Sequence, residues 1–418
     1  MPSIPEPISN SNICGEITML SLSTNLNPRG VVKAGEIIEE TDEVEATDSS
    51  GEEVHESEEK VLLDKISSAF EVKTTSYGGR GCFAHGAISK GTSILTARRP
   101  IGSAVTRAFR KEVCTWCFTY MDGRTLKYKI QQKIYFCSEK CQNEFCNYDP
   151  DSILADTLVR MEDLYVRCQG DIDENGVPES EEELLRVMDD KWAEVTEWES
   201  KISKMKPTKR FRQLPTVTSD DYTEIRYIIM TLYNYYREEK STYMTKLLIS
   251  DMDEDEQLTF EKKVLEILYS SEIDKVKRYP YLLIAYINIY KFVRLVIPHE
   301  FLPFTNPQKV RNIIGRNLTN AFGVWSPTTQ ENEEREFFGF GVYPSGSFFN
   351  HSCRCNVTKI RDGASYEYVT TEDIEPGTEL CISYGIRPED SVEVRREALG
   401  EWFFICGCTR CVEESSKD

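Results

Sequence analysis

The sequence predicts an α+β protein whose β-rich domain is split by inserted segments, and three observations carry that prediction. Short β-rich runs punctuated by glycine occur at 70–97 and again after residue 301, on either side of a long block with helical periodicity. Closely spaced cysteines cluster at 114–141 and at 406–411, where small modules need a metal in place of a core. The 418 residues are 29% charged and 40% hydrophobic, which suits about two or three compact units and excludes a peptide or a wholly disordered chain.

Residues 1–60 hold few aromatics and the run EIIEETDEVEATDSSGEEVHESEEK at 36–60, too polar to offset ordering entropy by burial, so a disordered acidic leader is expected. The opening MPSIPEPISNSN has no basic stretch followed by an apolar one, so no secretory signal is read and the nucleus or cytoplasm is the expected location. Residues 61–113 form the first β-rich part, with strands around 70–73, 82–84 and 93–97 joined by glycine turns. A cysteine-rich insert covers 114–148, and 149–300 reads as helical: Ile225, Ile228, Ile229, Leu232 and Tyr236 recur on one helix face. The apolar run 279–298 is broken by Asn288, Lys291 and Arg294, which makes it a buried helix and leaves no membrane span. Residues 301–390 return to β texture in GFGVYP, NVTKI, YEYVT and ELCISY, and 391–418 carry the terminal cysteines.

Lys plus Arg number 50 against 70 Asp plus Glu, a net charge of −20, so strong nucleic-acid binding is not expected. An acidic surface suits a basic partner such as a lysine-rich tail, with a merely solvated leader as the plainer reading. The run KMKPTKRFR from Lys204 reads as a solvated face.

Fourteen cysteines in an intracellular chain stay reduced, and their spacing points to metal. Cys114 and Cys117, with Cys137 and Cys141 in FCSEKC, present four thiolates to one tetrahedral zinc; two unrelated pairs of core cysteines are the alternative, and Cys146 is a spare. Cys406, Cys408 and Cys411 in CGCTRC need a fourth ligand, for which Cys353 is the candidate and Cys355 the competitor. A reactive redox cluster or zinc store is the alternative there, and it predicts labile metal.

The order of these motifs resembles the SET and MYND domain protein-lysine methyltransferases, the SMYD family, with a fungal branch as the expected placement. The resemblance is carried by GGRGCFA at 78–84, the finger at 114–141, NHSCRCN at 350–356, ELCISY at 379–384 and WFFICGCTRC at 402–411. It covers about residues 65–146 and 300–412, and the helical block matches by position only. It implies a split SET domain with a knot-like cofactor site, a MYND-like zinc finger insert, a helical insert and a zinc-bound post-SET segment. It also implies S-adenosylmethionine and two structural zinc sites, a lysine-bearing protein substrate, and a monomer.

Residue by residue, the resemblance points to Gly79, Arg80 and Gly81 at the methionine end of the cofactor, to Asn320, and to Asn350 and His351 at the adenine and amino ends. Phe404 stands where an aromatic stacks on adenine, and Trp402 beside it where an aromatic lines the methyl-transfer channel. Tyr384 matches the catalytic tyrosine, whose role is to orient rather than deprotonate, and Cys353, Cys406, Cys408 and Cys411 match the post-SET zinc ligands.

The sequence departs from the family at Gly78, where a lysine is usual, at Cys355 in place of proline and at Trp402 in place of tyrosine, and the finger retains ligands for one zinc. The helical repeat domain of animal members is not expected in a chain ending at Asp418. These departures keep open a non-catalytic adaptor that binds partners through its finger or leader. Asp171, Asp173, Asn175, Gly176 and Glu182 have the spacing of an EF-hand calcium loop, but Pro178 removes a backbone donor that paired loops use, and an acidic inter-helix turn is the preferred reading.

Overall fold

The computed structural model describes residues 58–77, 79–171, 180–239, 248–327, 335–387, 389–402 and 404–415. The leader up to residue 57, Gly78 and residues 172–179 of the EF-hand-like stretch lie outside the described residues. Residues 58–63 are helical, so the last residues assigned above to the leader belong to the folded part. The cause is anchoring: Glu59 pairs with Arg80, and Leu63 and Ile66 are buried.

Twelve strands follow: β1 Phe70–Thr74, β2 Arg80–Ala84, β3 Ser93–Ala97, β4 Gly102–Val105, β5 Tyr128–Ile130, β6 Ile134–Phe136, β7 Ala321–Trp325, β8 Phe337–Val342, β9 Asn350–His351, β10 Val357–Asp362, β11 Ser365–Thr370 and β12 Glu379–Ile382. Three small sheets, ordered β1-β2-β12-β9, β10-β11-β3 and β4-β8-β7, each join strands from both β-rich parts. Thus Leu380 pairs with Cys82 and Tyr368 with Leu95, while β5 and β6 form a separate hairpin inside the cysteine-rich insert. The parallel pair β12 and β9 sets Cys381 beside Asn350 and Ile382 beside His351, which brings the segments around 350 and 384 together.

The helical insert is part of the same core. The helix Ser219–Glu239 buries Ile225, Ile228, Ile229 and Leu232 of the face the periodicity marks, leaves Tyr236 half-buried, and buries Tyr222 as well. It lies directly on β4, where a Cβ on Gly102 would sit 2.1 Å from the Thr231 hydroxyl; only glycine permits that approach. The helix Leu282–Val296 buries Tyr286, Ile289, Tyr290 and Val293, and no described helix is long and apolar enough to cross a membrane.

Candidate functional site

Among the described residues, two groups of four sulfurs converge. Cys114 and Cys117 lie on a turn closed by the Phe118 N–H on the Cys114 carbonyl at 3.0 Å, with Phe118 itself at φ 59°. Cys137 follows β6, and Cys141 enters the first turn of the helix Glu139–Tyr148, where the Ser138 cap accepts its N–H at 3.2 Å. The Sγ separations Cys117–Cys137 and Cys137–Cys141 are 3.5 and 3.6 Å. Four thiolates around one zinc stand about 3.8 Å apart, so this group fits the ion.

The second group joins Cys353, just past β9, to Cys406, Cys408 and Cys411, with Cys353 3.9 Å from Cys406 and 3.5 Å from Cys411. It too fits zinc, and Cys355 is outside it, which settles the choice of fourth ligand. Within each group the sulfurs act on one another: the Cys114 thiol lowers the pKa of Cys117, and the Cys406 thiol, helped by His351, lowers that of Cys353. Arg395 is buried behind the second group and donates to Cys411 Sγ at 3.6 Å and to the Glu414 carboxylate at 2.5 Å.

Next to this group opens a cleft. Its walls include the rings of Phe322, Trp325, Phe349, Tyr384 and Trp402, and its polar lining includes Asn320, Ser347 and Lys359. Tyr384 stands just beyond β12. Its N–H donates to His351 Nδ1 at 3.2 Å, and its hydroxyl donates to the Phe349 carbonyl at 3.0 Å. Loss of solvation pushes the phenol well above its ordinary range, so it is neutral near pH 7. Because His351 Nδ1 accepts, the imidazole proton belongs on Nε2, which faces Cys353 Sγ at 3.3 Å. The zinc-ligand group and Tyr384 are therefore tied through one histidine.

Asn320, Tyr384 and Trp402 line the cleft; Gly79, Arg80, Gly81, Asn350, His351 and Phe404 are not among its lining residues. Phe404 meets Tyr384 edge-on at 6.1 Å and His351 at 6.5 Å. The Asn350 amide donates to the Arg80 carbonyl at 3.0 Å and to Glu379 Oε1 at 2.9 Å. Gly81 makes room for both partners, since a Cβ there would lie 2.7 Å from each. Gly79, at φ +72°, closes the hairpin by accepting the Thr75 N–H at 3.0 Å. The Arg80 side chain, expected at a cofactor, is committed instead to Glu59 and the Ile267 carbonyl, and stacks 5.0 Å from the Phe348 ring.

Sequence reasoning missed Phe322, Trp325, Ser347, Phe349 and Lys359. Ser347 and Phe349 directly precede the NHSC motif, a signal that was available, whereas β7 and β10 bring in the others from outside any motif. Chemically, a cleft walled by aromatic rings, with an amide, a hydroxyl and an ammonium in its lining, suits a flat heterocycle.

A family model described as the SET domain matches residues 79–385. A potential protein lysine methyltransferase of Saccharomyces cerevisiae is 30% identical over 383 residues, covering 84% of this chain and 97% of its own length. Two further matches are local: a SET and MYND domain-containing protein of Dictyostelium discoideum is 34% identical over 26% of this chain and 27% of its own. A human histone-lysine N-methyltransferase is 38% identical over 22% of this chain and 21% of its own. Strands from both β-rich parts share sheets around this cleft, the family match runs across both, and the chain belongs to the SET domain family.

Proposed function

We propose that the protein is a protein-lysine methyltransferase that uses S-adenosylmethionine. The observation that carries this reading is Tyr384: a neutral phenol, its hydrogen committed to the Phe349 carbonyl, in an aromatic cleft of a SET-family chain. When bound, S-adenosylmethionine supplies an electrophilic methyl on a sulfonium, whose C–S electron pair returns to sulfur as a lysine nitrogen forms the new C–N bond.

The chain's own residues do the rest. Asn320 and the rings of Phe349 and Trp402 are the groups we assign to hold the cofactor, with Phe404 packed against Tyr384 and with Asn350 and His351 fixing the surrounding backbone. A lysine ammonium entering between aromatic walls loses solvation, which lowers its pKa and favours the neutral amine that attacks. Tyr384 cannot serve as a base while its phenol is neutral and donating; its lone pairs remain to orient the methyl and the amine. Alignment supplies much of the rate in such a displacement. Both zinc sites have four protein ligands, which leaves no open position and makes them structural.

The reading includes a protein substrate with an accessible lysine, a monomeric enzyme, and a nuclear or cytosolic location. Calorimetric titration of zinc-loaded protein with S-adenosylmethionine, beside an Asn350→Ala variant, tests it without knowledge of the substrate. Saturable binding that weakens in the variant justifies a screen of lysine-rich proteins for methyl acceptors. Folded, zinc-replete protein that binds none overturns the reading and leaves the adaptor, which the departures at Gly78 and Cys355 favour.

A further inference from the structure

The helical insert reaches the cleft through a buried carboxylate. Glu261, on the helix Glu254–Ile267, is 1% exposed, and both of its oxygens accept from one residue. Oε2 takes the Ser345 N–H at 2.7 Å, and Oε1 takes the Ser345 hydroxyl. A carboxylate in such a place is expensive to desolvate, and an aliphatic side chain would fill the same space without that cost. Burial accordingly raises its pKa to about 7 despite the two hydrogen bonds.

Ser345 lies in the short turn Pro344–Phe348, which lends Gly346 and Ser347 to the cleft and leads into Phe349. The carbonyl of Phe349 is the acceptor of the Tyr384 hydroxyl. On its other side the turn is pressed against β11, for a Cβ on Gly346 would meet the Tyr368 hydroxyl at 2.0 Å. Tyr368 limits the turn from one side, and Glu261 holds it from the other.

We propose that Glu261 is a positioning residue of the methyl-transfer site: by taking both donors of Ser345 it sets the 344–349 turn and, through the Phe349 carbonyl, the direction of the Tyr384 hydroxyl. The assignment rests on the methyltransferase reading. It gives the insert a role in catalysis separate from any part in gripping substrate.

The test compares zinc-loaded wild type with Glu261→Leu, Glu261→Gln, Ser345→Ala and the Glu261→Leu/Ser345→Ala double variant. Steady-state methylation of a lysine-rich protein and hydrogen exchange of the 344–349 amides are followed in each. Glu261→Leu should lower kcat about tenfold or more, as small misalignments do, with KM and zinc content unchanged and with faster exchange in the turn. Glutamine keeps an acceptor for the Ser345 N–H and should restore most of the rate. The double variant should be no slower than Glu261→Leu alone, because both changes break the same contact. An active wild type whose variants keep kcat, or whose effects simply add, overturns the assignment alone. A wild type that binds no cofactor overturns the methyltransferase reading and this assignment with it.

Discussion

Replacing Arg395 with methionine separates the second zinc site from the finger. Four thiolates around a divalent zinc leave a net charge of −2, and Glu414 adds another negative charge beside them. Against this stand Arg410, which holds Glu414 at 2.7 Å, and Arg395, whose guanidinium is fully buried. Arg395 bridges three places: the Asp390 carbonyl at 2.5 Å, Glu414 at 2.5 Å and Cys411 Sγ at 3.6 Å. Outer-shell partners of metal ligands are worth about 10–100-fold in metal affinity. At 1.4 kcal/mol per tenfold that is about 1.4–2.8 kcal/mol, and a partner joined at three points belongs near the upper end. Methionine fills much of the volume, so the loss should be electrostatic and local. In a competition against a chromophoric chelator, one zinc should move to nearly a hundredfold weaker binding, on the order of the upper limit for such partners, while the zinc of Cys114, Cys117, Cys137 and Cys141 stays in place as an internal control. Two unchanged zincs, or two shifted equally, would refute the reasoning.

Tyr384→Phe should cut methyl transfer by about a hundredfold while S-adenosylmethionine affinity measured by calorimetry moves little, because the lost oxygen acts on the reacting groups. Gly81→Ala should abolish measurable cofactor binding, since the new Cβ would stand 2.7 Å from Asn350 Nδ2 and Glu379 Oε1; wild-type affinity in a folded variant would contradict this placement. Glu261 binds its proton more tightly folded, with a pKa of about 7, than unfolded near 4.5, so its contribution to stability is greatest below pH 4.5 and is lost as pH rises to about 7. That loss is worth about 3 kcal/mol at 1.36 kcal/mol per unit, and denaturation from pH 5 to 8 should show Glu261→Gln gaining on wild type across the range; parallel curves would show that burial does not disfavour its charge. Cys406→Ser should release one zinc and weaken cofactor binding, although Cys406 does not line the cleft.

Much of this site was legible because its chemistry is local in sequence. A CxxC pair, FCSEKC and CGCTRC place ligands within a turn or two of one another, and zinc demands little beyond their convergence. NHSC and ELCISY become neighbours through β9 and β12, a pairing that sequence order alone does not state. Contacts between distant segments were not legible. The resemblance assigns Arg80 to the cofactor, and the Glu59 carboxylate and the Ile267 carbonyl, from distant segments, compete for it. Glu261 sits in a helix of ordinary texture, and nothing in EDEQLTFEKKVLEI marks it as the carboxylate that meets Ser345 across a gap of 84 residues.

The reason zinc matters to the cleft is the orientation of a single imidazole. His351 has two ring nitrogens and two neighbours: the Tyr384 N–H, which needs an acceptor, and Cys353 Sγ, which as a zinc ligand is a thiolate and prefers a donor. Only the tautomer with its proton on Nε2 satisfies both. Without the metal the Cys353 sulfur is no longer fixed in place beside Nε2, and the imidazole is free to turn. The Tyr384 backbone then loses its acceptor while the hydroxyl keeps its own, the Phe349 carbonyl held from the other direction by Glu261 through Ser345. The tyrosine is thus fixed at two ends by two separate modules, the zinc-bound C-terminal segment at its backbone and the helical insert at its ring. That division of labour is why a change in the helical insert, far from the cleft, should be read first in kcat.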